Sequence, residues 1–429
     1  MPAAAQTDPP RIEFGDVLAD PTNLALNVAF ARQQIEDGDL PGASATLERL
    51  LIQAPSQNEV RLLYAVVLLR LGQPEEAQRE FAAVDENALS AADRGAYDRG
   101  IEDTARALQS VTGDAGVTLG LHYDTNRDSF PIGGSFQVEL PGTGPIIIDT
   151  DEDGTEDVAF FSVLDGGIDW TPTSQRLRQV SVDATLVGVN QARLDDFDIL
   201  SGFVGTSAII DATVFDIVPS ASFRVIGLGG SRYLTTGEGG LRLERPIGTD
   251  RRTIAFVGGS GGFNEFGDVD ADPFGSEQTG PFLTAEAGIA HQPFDRLQLA
   301  ARYRYSRRFA EFDFESFDAH AVFGSLQYVL TPGAVLQFVA GYERTVFDEP
   351  DPFVSLTEEE RDNAVQTRLG VVISAEAALR VAGIETNSAF ARNLTLNVGG
   401  SYRRVFSNIE NFEFQNFRFE TAITKRFFF

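Results

Sequence analysis

The 429-residue chain has no cysteine, one tryptophan, one methionine and three histidines. Without Cys there is no disulfide framework, no thiolate zinc site and no thiol nucleophile. Bases are scarce: 34 Lys and Arg stand against 63 Asp and Glu, a net charge of −29. Nucleic acid is therefore not an expected partner, because its binding needs a basic face. Docking onto anionic lipid through basic patches is disfavoured for the same reason. No apolar run approaches the 18 or so residues of a transmembrane helix; the longest candidate is AVVLLRLG at 65–72. No signal segment is visible, although Ala3, Ala4 and Ala5 followed by Gln6 resemble the small-residue flank of a cleavage point. An upstream signal is expected, with 1–21 as the mature N-terminal segment.

Glycine and phenylalanine are abundant, at 41 and 34 residues. Together they point to many strands, tight turns and an aromatic surface. The chain divides by period. Between 22 and 86 the landmarks recur at an offset of 34. Phe30 meets Tyr64, Ala31 meets Ala65, Ile35 meets Leu69, and Gly38 meets Gly72. Ala43 meets Ala77, Leu47 meets Phe81, and Leu50 meets Val84. This resembles the tetratricopeptide repeat, a helix–turn–helix unit of that length. The small residues let helices pack closely, and the glycines make the turns. Ser90 with Asp93 predicts a capped final helix over 90–109, closing the stack. The helical domain is read as 22–110.

From about 115 to 429 the period becomes 2. In LTLNVGGSY, Leu394, Leu396, Val398 and Tyr402 share a face opposite Thr395, Asn397, Ser401 and Arg403. LQLAARYRY from Leu297 and VTLGLHYD from Val117 alternate likewise. A soluble sandwich also alternates. Length, a nearly pure apolar face and alternating long and short links favour a transmembrane barrel of about 14 strands. The long links are read at 127–157, 191–197, 264–279, 309–317, 347–362 and 407–415; the short ones at 171–176, 247–250, 292–294 and 331–332. The stretch 377–392 is long on the short-turn side. The fold class is thus α plus transmembrane β: helical repeats followed by an antiparallel outer-membrane β-barrel.

The chain ends TAITKRFFF. Phe417, Phe419, Ile423, Phe427 and Phe429 share one face of the last strand, which is expected to meet lipid. Phe427 and Phe429 resemble the C-terminal signal read by the barrel-insertion machinery. Thr424 stands where Gly is usual, and Lys425 falls on the lipid face, where its stem snorkels. The expected lumen face carries Arg302, Arg304, Arg403 and Arg418 with Asp183, Glu286, Glu343 and Glu420. His122, His291 and His320 are far apart, and His122 faces inward with Asp124, so no catalytic role is expected.

One loop carries a metal-like pattern. In DTDEDGTED, Asp149, Asp151, Asp153 and Asp157 fall at positions 1, 3, 5 and 9 of a calcium loop, with Gly154 at 6. Phe160 occupies position 12, where a bidentate Glu is usual. No cofactor is expected; the loop is read first as a solvated acidic loop, with calcium binding through these aspartates as the alternative.

A short tetratricopeptide domain before a barrel of about this size resembles the surface lipoprotein assembly modulator family. GLHYDTNRD at 120–128 carries the resemblance at the junction, where Tyr123-Asp124-Thr125-Asn126 is similar to the stretch that opens such barrels. The resemblance implies a periplasmic repeat domain that meets lipoprotein or other secreted cargo, and a barrel in outer-membrane lipid that helps the cargo reach the surface of a Gram-negative cell. A polysaccharide-export channel and a passive porin with a partner-binding domain remain as alternatives. Mixed lumen charge does not favour a polyanion path.

Overall fold

The computed structural model describes residues 11–132, 134–140, 144–150, 154–172, 174, 176–248, 252–383 and 390–429. The Ala3–Gln6 pattern, Asp151 and Asp153 lie outside these. The chain forms two compact units, 1–110 and 111–429.

The first unit contains α1 (Phe14–Ala19), α2 (Leu24–Glu36), α3 (Leu40–Gln53), α4 (Asn58–Arg70), α5 (Pro74–Ala82) and α6 (Ala91–Ala107). Local chemistry sets the helix starts. The Asn23 side chain accepts the Leu26 N–H at 3.1 Å, Asp39 accepts the Gly42 N–H at 3.0 Å, and the Ser90 hydroxyl accepts the Asp93 N–H at 3.2 Å. Each satisfies a donor that the first helical turn leaves open. Gly38 and Gly72, with φ of +82° and +74°, turn α2 into α3 and α4 into α5. A side chain there would strain the left-handed backbone.

The superposed landmarks form the core. Ala31, Ala43, Leu47, Leu50 and Val60 make one buried cluster; Ala65, Ala77, Phe81, Val84 and Tyr97 belong to a second. Tyr97 comes from α6, so the last helix covers the apolar face of the second pair. Its ring meets Phe81 edge-on, with centroids 6.0 Å apart.

The second unit is a closed barrel of fourteen antiparallel strands with a separate two-stranded hairpin. β1 (Val111–Asp124) rises into a long loop holding the hairpin strands β2 (Ser135–Leu140) and β3 (Gly144–Asp149). Then follow β4 (Asp157–Trp170), β5 (Leu177–Gln191), β6 (Ile199–Asp211), β7 (Asp216–Leu228), β8 (Ser231–Ile247), β9 (Thr253–Phe266) and β10 (Gly280–Phe294). β11 (Leu297–Arg308), β12 (Phe317–Thr331), β13 (Ala334–Phe347), β14 (Arg361–Ser374), β15 (Leu394–Ser407) and β16 (Phe414–Phe428) complete the wall. β16 pairs with β1 from Asp114↔Phe428 to Asp124↔Arg418. Both ends of this wall therefore lie at one rim, here called the turn end; the other is the loop end.

Three features differ from the sequence reading. The barrel begins at Val111 rather than 115. β7 and β8 are joined at the loop end by Gly229 and Gly230 alone, both at positive φ, the geometry of a two-residue hairpin. The sequence reading places no link there, nor at 212–215 between β6 and β7, because such short turns barely interrupt the alternation. The long stretch at the turn end contains a short helix, α7 (Ala375–Val381), with Ala377 N–H bonded to the Ser374 hydroxyl at 3.2 Å.

The outer surface of the barrel is apolar. Leu119 and Ile423 pair across the β1–β16 seam and are about half exposed, as are Phe419 and Phe427. Burying such a band in water would need a partner surface; lipid supplies one along the full circumference. Lys425 lies on this face, and its ammonium donates to the carbonyls of Phe390 at 3.0 Å and Arg392 at 2.5 Å. That placement brings the lipid-face cation to the polar rim.

Candidate functional site

In the helical unit, α2 and the start of α4 border a groove of about 980 Å³. Its floor is small and apolar: Leu24, Ala25, Val28 and Ala29 on α2, and Val60 on α4. Arg32 and Glu59 pair across it at 2.5 Å. Residues preceding α1 already lie against it. The Gln33 carboxamide accepts the Ile12 N–H at 2.9 Å and donates to the Ile12 carbonyl at 3.0 Å. Arg11 pairs with Asp37 at 2.5 Å, just past the C-terminus of α2.

In the barrel, the lumen is lined by alternate residues of every strand. Arg302, Arg304 and Arg308 face inward from β11. Arg304 reaches Glu343 on β13 at 3.0 Å, and Arg302 stands 3.8 Å from Glu286 on β10. Both guanidiniums flank the Phe323 ring, 5.2 and 5.3 Å from its centroid. Arg418 donates to Asp124 at 2.9 Å across the β1–β16 seam. Asp124 is fully buried and also accepts from Asn416 at 2.8 Å, with His122 Nε2 at 3.2 Å. His122 thus lies beside the Asp124–Arg418 pair in the wall, and among the described residues no serine bonds to it. Arg403 lies over Phe414 at 5.5 Å. All six residues expected to line the lumen, Arg302, Arg304, Arg403, Arg418, Glu286 and Glu343, occur on strands and at inward register positions.

The lumen charge is mixed and largely paired: Arg426 on β16 reaches both Asp114 and Asp165, as Arg302 and Arg304 face Glu286 and Glu343. Asp114, Asp165, Asp169 and Asp183 lie on the inner faces of the adjacent strands β1, β4 and β5. β11, with its three arginines, stands seven strands from β4 in either direction around the wall. Near the loop end a cavity of about 430 Å³ is bordered by Arg127, Arg368, Arg403 and Arg418 with Gln366 and Asn416. Sequence reading missed Arg368 and Arg127. The first was accessible, since Gln366, Arg368 and Gly370 alternate with Val365, Thr367 and Leu369 on β14. The second lies in a loop, where parity gives no direction.

Residues 35–94 match the tetratricopeptide repeat family. The match falls within the helical unit. No curated protein sequence matches this chain. Among solved structures, an outer membrane channel from Pseudomonas putida F1 is 11% identical, with a TM-score of 0.38 over 73% of this chain and 95% of that one. The anion-selective porin from Comamonas acidovorans is 8% identical, with a TM-score of 0.39 over 74% and 99%. The OmpT protein expressed in the outer membrane of Vibrio cholerae is 10% identical, with a TM-score of 0.36 over 74% and 98%.

Two of the four candidate calcium ligands are described. Asp149, at the end of β3, accepts from the Ser135 hydroxyl at 2.9 Å. Asp157, at the start of β4, is buried and accepts three backbone N–H groups: Val158 at 2.7 Å, Arg193 at 3.1 Å and Leu194 at 2.9 Å. Its carboxylate fastens the β5–β6 loop to the rim. Among the described residues no group of three or more His, Asp or Glu side chains is arranged to hold a metal.

Phe427 and Phe429 stand at the turn end. Phe427 pairs with Ala115 in the β1–β16 register, and Phe429 meets the backbone of Gly113.

Proposed function

We propose that this chain is an outer-membrane protein of a Gram-negative bacterium that assists a secreted protein, a lipoprotein above all, toward the cell surface. The helical unit works in the periplasm and captures cargo; the barrel spans the membrane. Phe427 and Phe429 serve the insertion machinery. The observation that carries this reading is the joining of a tetratricopeptide unit, which has a groove along α2, to a lipid-facing barrel, with three residues between α6 and β1. Stacked repeats expose such surfaces for recognition, and extended protein segments suit them.

The test removes residues 22–110 and measures lipoprotein exposure on intact cells by protease shaving, with barrel insertion checked in the same cells. Loss of exposure supports capture. Unchanged exposure with a correctly inserted barrel overturns it. A second reading, a solute channel with a partner-binding domain, draws on the arginine-bordered cavity. Four guanidiniums border it in a strongly acidic chain, two of them already paired, Arg418 with Asp124 and Arg368 with Glu420. Planar-bilayer recordings distinguish the two: a steady anion-preferring conductance, independent of cargo, favours the channel.

A further inference from the structure

We propose that residues 11–13 are a resident stand-in for a ligand, and that the α2 groove binds extended peptides in which an arginine directly precedes an aliphatic residue. The inference rests on the capture reading above, but it fixes where the ligand sits, what it carries and what occupies its place.

Three contacts define the site. The first is the Gln33 amide. It accepts from the Ile12 N–H at 2.9 Å and donates to the Ile12 carbonyl at 3.0 Å. One carboxamide thereby satisfies both backbone groups of a single residue. Only an extended residue presents them to one side together, so the contact selects conformation and is blind to side chain. The second is Arg11 with Asp37, at 2.5 Å. Asp37 caps the C-terminus of α2, the negative end of the helix dipole. A cation is favoured there, and Glu36 beside it adds to the field. The third is the floor. Ala25, Val28 and Ala29 present small apolar surface beside Ile12, and with Arg11 and Ile12 in its wall the groove still holds about 980 Å³ of free space. Small residues on a recognition helix leave room for an incoming backbone and a branched side chain.

A tethered segment competes by effective concentration. Residues 11–13 run directly into α1, whose Phe14 packs against Phe30, so the segment is held at the groove. A resident segment at roughly ten times its own dissociation constant weakens a competing ligand of the same kind roughly tenfold. The groove is therefore buffered against weak ligands and opens to those with more contacts than residues 11–13 make.

The experiment uses the full chain in detergent and a fluorescent peptide of its own residues 9–16 supplied in trans, read by anisotropy. The double substitution Arg11→Asp, Ile12→Pro dislodges the resident segment, because it reverses one charge and removes the N–H that Gln33 accepts. Peptide binding is expected to tighten about tenfold in this variant. Adding Gln33→Ala is expected to abolish it. Helical content and thermal unfolding by circular dichroism check the fold. Should Gln33→Ala unfold the unit, Asp37→Ala decides instead: it is expected to erase the preference for this peptide over its Arg11→Ala counterpart. Equal binding by the parent and the dislodged variant overturns the proposal, as does binding that ignores both Gln33 and Asp37, or no binding at all. If the peptide fails to bind while lipoprotein exposure still depends on 22–110, the groove assignment falls and the capture reading stands.

Discussion

Gly113 and Phe429 exchange two backbone hydrogen bonds: the Gly113 N–H donates to the Phe429 carbonyl at 2.7 Å, and the Phe429 N–H donates to the Gly113 carbonyl at 2.9 Å. The final residue of the chain is thus the last rung of the ladder that closes the barrel. Three terminal phenylalanines are tolerable because one end of each pairing is backbone and the outward rings face the apolar band. An open edge in lipid would leave donors and acceptors without partners.

Removing Phe427–Phe429 should therefore do more than trim a terminus. It deletes the Ala115↔Phe427 and Asp114↔Phe428 pairs as well as the Gly113 rung. Less barrel should reach the folded form, seen as a loss of the fast-migrating band in unheated detergent gels. An undiminished folded band would count against both the closing role and the insertion signal.

Arg418→Ala should weaken the same seam at its loop end. Asp124 would keep Asn416 and His122 but lose its charged partner. Breaking a buried pair costs about 3–5 kcal/mol. Arg418 is partly exposed, so on the order of 2 kcal/mol is expected here. The unheated band should disappear at a lower temperature than in the parent, and Asp124→Asn together with Arg418→Ala should recover part of the loss.

Two glycine substitutions should separate strain from crowding in the helical unit. At Gly72 an added Cβ meets open space, so only the positive φ is penalised, by about 1 kcal/mol. At Gly100 in α6 a Cβ would fall 2.2 Å from the fully buried Phe81 ring. Overpacking of this kind costs about 1–3 kcal/mol. Thermal unfolding followed by helical circular dichroism should rank Gly100→Ala below Gly72→Ala; the reverse order would contradict the packing of α6 on the second repeat.

The loop end should respond to pH. Burial pushes the carboxyls of Glu277, Glu315, Asp351 and Glu360 above their ordinary range, and Asp362 beside Glu360 adds to its rise. The packed loops then hold protons that the open loops release. Their stability is fully present below the free carboxyl range, near pH 4, and is lost as pH rises through the packed values. Hydrogen exchange across 348–360, corrected for its intrinsic rate, should be faster at about pH 8 than at about pH 5. Glu360→Gln should reduce the difference. Slower corrected exchange at the higher pH would refute the assignment.

Some of this protein was settled by local rules. The 34-residue offset located Gly38, Gly72 and the paired core positions, because a repeat places the same packing demand on the same residue each time. Period 2 put Arg302, Arg304, Arg403 and Arg418 on the inner face and Phe417, Phe419 and Phe427 on the outer one, because successive residues of a pleated strand point to opposite faces and the register shifts lie elsewhere. Those rules stop where chain segments meet that are distant in sequence. The pairing of lumen charges, such as Arg426 with Asp114 and Asp165 across the β1–β16 seam, depends on which strands closure brings together. Asp157 reads as a metal ligand by its spacing, yet its oxygens hold backbone N–H groups some 36 residues away. Gln33 has no motif at all. Its role emerges only when residues 11–13 lie extended against α2, because a carboxamide recognises a backbone by geometry and leaves no mark in the sequence of either partner.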